Sequence, residues 1–176
     1  MDTNYATIRS DPIVGKRIAA AYLAAPTMNR EALPAYKAMR DETLRQLDDL
    51  MRRIQVEVTT EDPYRSADQL FADLREGKIR VWSTAAGDNA HPYFSDDDND
   101  AFRAVHDAFG HGGTGQGFDR HGEEAAWVKH SKMYSPLARR AMTTETRGQA
   151  STFVYANGER YFSPQKAILL PAEFWA

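Results

Sequence analysis

With 176 residues, 42% of them hydrophobic and 27% charged, the chain is long enough for one domain with its own core and is neither low-complexity nor wholly disordered. A net charge of −3 gives no general pull towards polyanions, which disfavours nucleic-acid binding, and the lack of cysteine removes disulfides, thiol nucleophiles and thiolate-held metals. No apolar run approaches the roughly 20 residues that span a bilayer, and no basic-then-apolar leader opens the chain, so no membrane partner and a cytoplasmic location are expected.

Taken in order, Asp11-Pro12 reads as a cap and first-turn proline opening a short helix through Ile13, Ile18, Tyr22 and Leu23, which stops before Pro26. From Pro34 to Ile54 the apolar residues Tyr36, Met39, Leu44, Leu47, Leu50 and Met51 recur at helical spacing. The β-branched, alternating run Ile54 to Thr60 predicts a strand. Ser66 to Glu76 predicts a helix ended by Gly77, and Ile79 to Thr84 a second strand. The acidic cluster Asp96, Asp97, Asp98 and Asp100 suits the mouth of a following helix, whose inward residues are Phe102, Val105 and Phe109. Gly110 to Gly117 concentrates five of the chain's eleven glycines, so the backbone there turns sharply or is approached closely. Further helices are expected over Glu123 to Met133 and from Ser135-Pro136 to about Gln149. Asn157-Gly158 between Ser151 to Ala156 and Glu159 to Ser163 predicts a β-hairpin. The expectation is one α+β domain over residues 1–176, mostly helical, with a helical N-terminal layer at 1–53 and a core at 54–170 that sets helices around a metal site and carries small β-hairpins.

Chemistry concentrates where the histidines do. Four of the five, His106, His111, His121 and His130, fall within 25 residues. On an ideal helix five residues turn 500°, leaving His106 and His111 about 140° apart, so the helix must distort near Gly110 for both to face one ion. Leu137, Ala141 and Glu145 share a helical stripe, which points Glu145 at the core. A buried carboxylate needs a partner, and ligation or a salt bridge to Arg139, Arg140 or Arg147 satisfies it equally well. Two imidazoles and one carboxylate on one side of an ion make the facial triad of non-haem Fe(II) oxygenases.

The segment His106 to His111 (HDAFGH) resembles the HExxGH metal motif of the pterin-dependent aromatic amino acid hydroxylases, with Asp107 replacing Glu. The strand IRVWST with the following HPYFS, the helix Phe118 to Lys129, the segment Met142 to Gln149 and the stretch Tyr155 to Gln165 are similar to that family in the same order, over Ile54 to about Leu170. The resemblance implies a hydroxylase-like fold, Fe(II) held by His106, His111 and Glu145, O2 and a small, aromatic substrate as partners, and a tetrahydropterin for which Phe71 and Trp82 are approximate stacking candidates. The same HDAFGH to FDRHGEEAAW stretch resembles proteins encoded by actinobacteria and their phages.

Around such an ion, Glu123, Trp127 and His130 share one helical face while Glu124 points about 100° away. Glu124 is the candidate for holding a ligand's ring N–H, Glu123 for a solvated helix start, and His130 for a supporting catalytic role. Asp107 is the candidate to hold a ligand-bound water, and His121, beside Arg120, is expected at the surface. Two other classes compete with an iron monooxygenase. A divalent-metal phosphohydrolase is suggested by adjacent His106-Asp107 with His91 upstream, though no aspartate follows Asp119. A binding or assembly protein with a structural ion is the other.

Overall fold

The computed structural model describes residues 3–175. Helix α1 (Pro12–Ala24) is capped by the Asp11 side chain, which accepts the Ile13 and Val14 N–H groups and so meets two of the four donors a helix start leaves unpaired. Helix α2 (Leu33–Met51) buries Ala35, Tyr36, Met39, Thr43, Gln46 and Leu50 along one face. Covering a side chain such as Met39 is worth roughly 1.5–3 kcal/mol; of the two polar residues on this face, Thr43 shares a hydrogen bond with the Tyr134 hydroxyl, and Gln46 serves the site described below.

Strand β1 (Gln55–Thr59), helix α3 (Ala67–Arg75) and strand β2 (Lys78–Trp82) form a βαβ unit whose strands pair in parallel, Gln55 with Lys78 through Thr59 with Trp82. This is the one sheet among the described residues. The mostly helical α+β expectation therefore stands in its coarse form, but the hairpins do not. Asn157-Gly158 does form a turn, with Gly158 and Glu159 at positive φ. The residues before it belong to helix α7 (Gln149–Tyr155) and those after it pair with no strand. The β-branched Thr152 and Val154 are held helical by tertiary packing of α7 against α1, where the Tyr155 ring lies over Gly15.

Helix α4 (Asp96–Val105) starts at Ser95, whose hydroxyl accepts the Asp98 N–H, and runs without a break into a wide, π-type helical stretch at His106–Gly112. Helix α5 (Arg120–His130) and helix α6 (Pro136–Thr143) follow, and α6 passes through a second wide stretch, Thr144–Gly148, into α7. The main core lies between α2, α4, α6 and the sheet, with Tyr36, Met39, Leu70, Ile79, Val105 and Met142 inside. A smaller cluster joins Ile18 and Tyr22 of α1 to Ile168, Leu170 and Phe174 near the C-terminal end. No described helix is long and apolar enough to cross a membrane.

Candidate metal centre

The helix distortion that the sequence demands at Gly110 is the wide stretch His106–Gly112. With about 4.4 residues per turn, residues five apart come to within about 50° of each other, so His106 and His111 share a face. Gly110 allows α5 to close on this turn, because a Cβ there would lie 3.2 Å from both the Ala126 Cβ and the His106 Nδ1. Gly122 does the same for the loop that follows: a Cβ on it would collide with the Gly117 backbone.

Helix α5 then presents Glu123. One ligand atom from each of His106, His111 and Glu123 lies within 4.8 Å of the others. The Glu123 carboxylate is 3.5 Å from His111 Nε2 and 4.0 Å from His106 Nε2. Ligand atoms bound about 2.1 Å from one ion stand about 3.0 Å apart at neighbouring octahedral positions and about 3.4 Å apart at tetrahedral ones. Modest inward movement therefore closes the group around a first-row divalent metal.

Hydrogen bonding settles which nitrogens are available. Gln46 Nε2 donates to the Met133 carbonyl, so its Oε1 accepts from His130 Nε2 at 2.8 Å. His130 Nδ1 is then an acceptor, and His106 Nδ1 donates to it at 3.2 Å. His111 Nδ1 donates to the Gln116 carbonyl at 3.1 Å. Both ligand candidates therefore turn Nε2 towards Glu123 and use Nδ1 as the donor, so Nε2 is the nitrogen open to a metal, on His111 once its second proton leaves. His130 is 0% exposed, and burial together with the nearby His106 and His111 holds its pKa well below the usual histidine range. Without a metal, burial works against charge on His111, but Glu123 and Asp107 outweigh it and raise His111 to about 9. Burial likewise opposes charge on Glu123, yet His111 and His106 pull it down to about 2. In the metal-free protein a proton thus sits between His111 and Glu123. The donors, their tautomers and their charge fit a divalent cation.

Glu145 lies elsewhere on the same cleft. Its Oε1 accepts from Tyr36 Oη at 2.6 Å and His91 Nε2 at 3.2 Å, and its Oε2 from Gln149 Nε2 at 2.7 Å. It is not one of the three converging ligands, nor does it pair with an arginine. His91 Nδ1 accepts the Tyr93 and Phe94 N–H groups, so both His91 nitrogens are engaged and neither is open to a metal, as the phosphohydrolase reading would need. Burial and the Glu145 charge push the Tyr36 phenol far above its usual range.

Neither of the neighbouring acids of α5 takes the role expected of it. Glu124 receives both Arg147 Nε and Nη2, at 2.9 and 2.7 Å, while the guanidinium also stacks on Trp127. It holds no histidine, and Glu123 rather than Glu124 faces the rings. Asp107 lines the cleft beside His106, with burial raising its carboxyl above the ordinary range. His121 is half-buried, its Nδ1 accepting the Ser10 N–H. Trp82 also lines the cleft, but Phe71 packs into the main core and is not among its walls.

The cleft holds about 520 Å³ and is walled by apolar rings, including Phe102, Phe118, Phe153 and Phe162, with His106, Asp107, Glu123 and Glu145 at its polar parts. Sequence reasoning missed Glu123 as a ligand candidate, and also the site roles of Gln46 and Tyr36. The shared stripe of Glu123, Trp127 and His130 was the available signal for the first. Set against known proteins, the chain matches no family model, no curated protein and no solved structure.

Proposed function

We propose that the protein is a non-haem Fe(II)-dependent monooxygenase acting on a small substrate in the cleft beside His106. The single observation that carries this reading is the convergence of two imidazole Nε2 atoms and the Glu123 carboxylate at the wall of a cleft large enough for a small molecule. The HDAFGH motif and its resemblance to the aromatic amino acid hydroxylases support iron over other divalent ions, and extend the proposal to a hydroxylase-like arrangement of the core. Bound there, ferrous iron would supply the electron chemistry that activates O2, which no protein side chain provides.

The chain's own part is to hold, dry and orient. His106, His111 and Glu123 would hold the metal from one side and leave its cleft side free. Gln46 and His130 keep the His106 ring in one tautomer. Phe102 and Phe118 line the cleft on the same side and keep water from it. Asp107 is placed to take or return a proton at a cleft ligand. The Glu145 carboxylate, already fixed by Tyr36, His91 and Gln149, stands ready as a hydrogen-bond acceptor. The resemblance assigns Glu145 itself as the third ligand, a second reading that requires it to leave these three donors. A tetrahydropterin fits less well, since Trp82 alone of its two aromatic candidates reaches the cleft, and no role here depends on one.

Anaerobic loading of the purified protein with Fe(II), followed by metal analysis, tests the proposal. About one iron per chain is expected, with a ferrous spectrum that changes on adding nitric oxide, and with loss of iron in His106→Ala and Glu123→Ala. Iron retained unchanged in both variants would refute it. Iron bound but indifferent to nitric oxide and O2 would leave a structural ion.

A further inference from the structure

Arg103 is a cleft residue that the metal does not need. On α4 it lies three residues before His106 and four before Asp107, and Asn99, Phe102, Arg103, His106 and Asp107 form one continuous i, i+3, i+4, i+7, i+8 stripe, all of it lining the cleft. The head of Arg103 is anchored, since its Nη1 donates to the Trp82 carbonyl at 2.6 Å. That carbonyl is its only hydrogen-bond partner among the described residues. Asp100 and Asp107 are close enough to influence its charge, but neither hydrogen-bonds to it or pairs with it.

The other cleft arginines differ in this respect. Arg80 is committed to Asp73 at 2.7 Å and rests on the Tyr64 ring. Arg120 turns its Nε to His121. A half-buried guanidinium without an acid is costly, because an anionic partner would restore the solvation that burial removes. Its planar fork of donors suits a carboxylate.

We propose that Arg103 is the anchoring residue for an organic carboxylate whose apolar body lies along the α4 stripe, against Trp82 and Phe102. Residues three apart on a helix hold their Cβ atoms about 5–6 Å from each other, so a carboxylate on Arg103 leaves the adjoining atoms of the same molecule beside His106. Either of two molecules supplies this chemistry: the substrate to be oxidised, or a 2-oxo acid that serves as two-electron donor and loses its carboxyl group as CO2 while one O2 atom enters the remaining acid. The inference rests on the oxygenase reading for its purpose but not for its binding step.

The test measures titration of benzoate, and of its neutral isostere benzamide, into the metal-free protein by calorimetry. Benzoate is expected to bind at least about tenfold more tightly than benzamide. Arg103→Gln should bring that ratio close to one, Arg103→Lys should restore part of it, and His106→Ala/His111→Ala should leave it intact, which excludes the charged His111 as the anion's partner. Thermal melting of each variant establishes that it is folded. Equal binding of the two probes, binding of neither, or an undiminished ratio in a folded Arg103→Gln protein would overturn the proposal. Iron binding is measured on the same preparations, so that failure to bind iron with the ratio intact counts against the oxygenase reading alone. With iron loaded, release of labelled CO2 from 2-oxoglutarate identifies the electron donor as the occupant, and hydroxylation of benzoate with O2 consumption when a separate two-electron reductant is supplied, and no CO2 released, identifies the substrate.

Discussion

Replacing His130 by phenylalanine tests whether the ligand tautomer is set from behind. The ring would still fill the space among Phe102, Phe109 and Tyr134, but two hydrogen bonds vanish, leaving the His106 Nδ1 proton without an acceptor and Gln46 Oε1 without a donor. Each orphaned buried group costs about 1–3 kcal/mol, so the metal-free protein should lose roughly 2–6 kcal/mol by urea unfolding. His106 would also be free to turn or change tautomer, and loss of such a supporting bond weakens metal binding about 10–100-fold. Chelator competition with Zn(II) and the visible spectrum of Co(II)-loaded protein report this without any turnover. His130→Gln, whose amide oxygen can accept from His106, should recover part of both losses. An unchanged metal affinity in folded His130→Phe, or a Gln variant no better than the Phe one, would refute the reasoning.

Other consequences follow from the same geometry. Glu123→Gln should abolish tight Zn(II) or Fe(II) binding and also lower stability near neutral pH, because the charged His111 loses its partner, whereas Glu124→Gln should spare binding and cost about 3 kcal/mol, because it strands the Arg147 guanidinium; chelator competition separates the two. In the metal-free protein His111 is raised to about 9, so the stability it contributes is complete below its unfolded value near 6.5 and is lost as pH rises through 9. His130 has the opposite sign: its depressed pKa makes stability fall as pH drops below 6.5. Urea midpoints should therefore peak near pH 6.5, and His111→Asn should flatten the alkaline limb. Metal binding should also release close to one proton between pH 7 and 8, measured by calorimetry in buffers of different ionisation enthalpy; zero release would show that His111 is not protonated beforehand. Gly122→Ala should weaken metal binding at least about tenfold, since relief of its clash with the Gly117 backbone displaces α5 and with it Glu123.

Much of the fold is local and therefore readable in the chain. The Asp11-Pro12 cap, the apolar face of α2 and the strands around α3 follow from spacing and capping, and the structure places α1, α2, β1, α3 and β2 where these signals lie. The hairpin at Asn157-Gly158 failed because its turn signal is sound while its flanks are claimed by packing of α7 on α1. The site shows a sharper limit. A 3.6-residue helix leaves His106 and His111 apart, and only the widened turn at His106–Gly112 brings them together. The glycines hinted at distortion without giving its form. Which of Glu123 and Glu124 turns inward depends on how α5 docks, and the deciding partners, Arg147 and the two histidine rings, come from segments distant in sequence or bent out of regular register.

The most direct test is an anomalous difference map at the iron edge from crystals grown anaerobically with Fe(II). One peak about 2.1 Å from His106 Nε2, His111 Nε2 and a Glu123 carboxylate oxygen is expected. A peak ligated by Glu145 with Glu123 turned away, or no peak between the two histidines, would contradict the account.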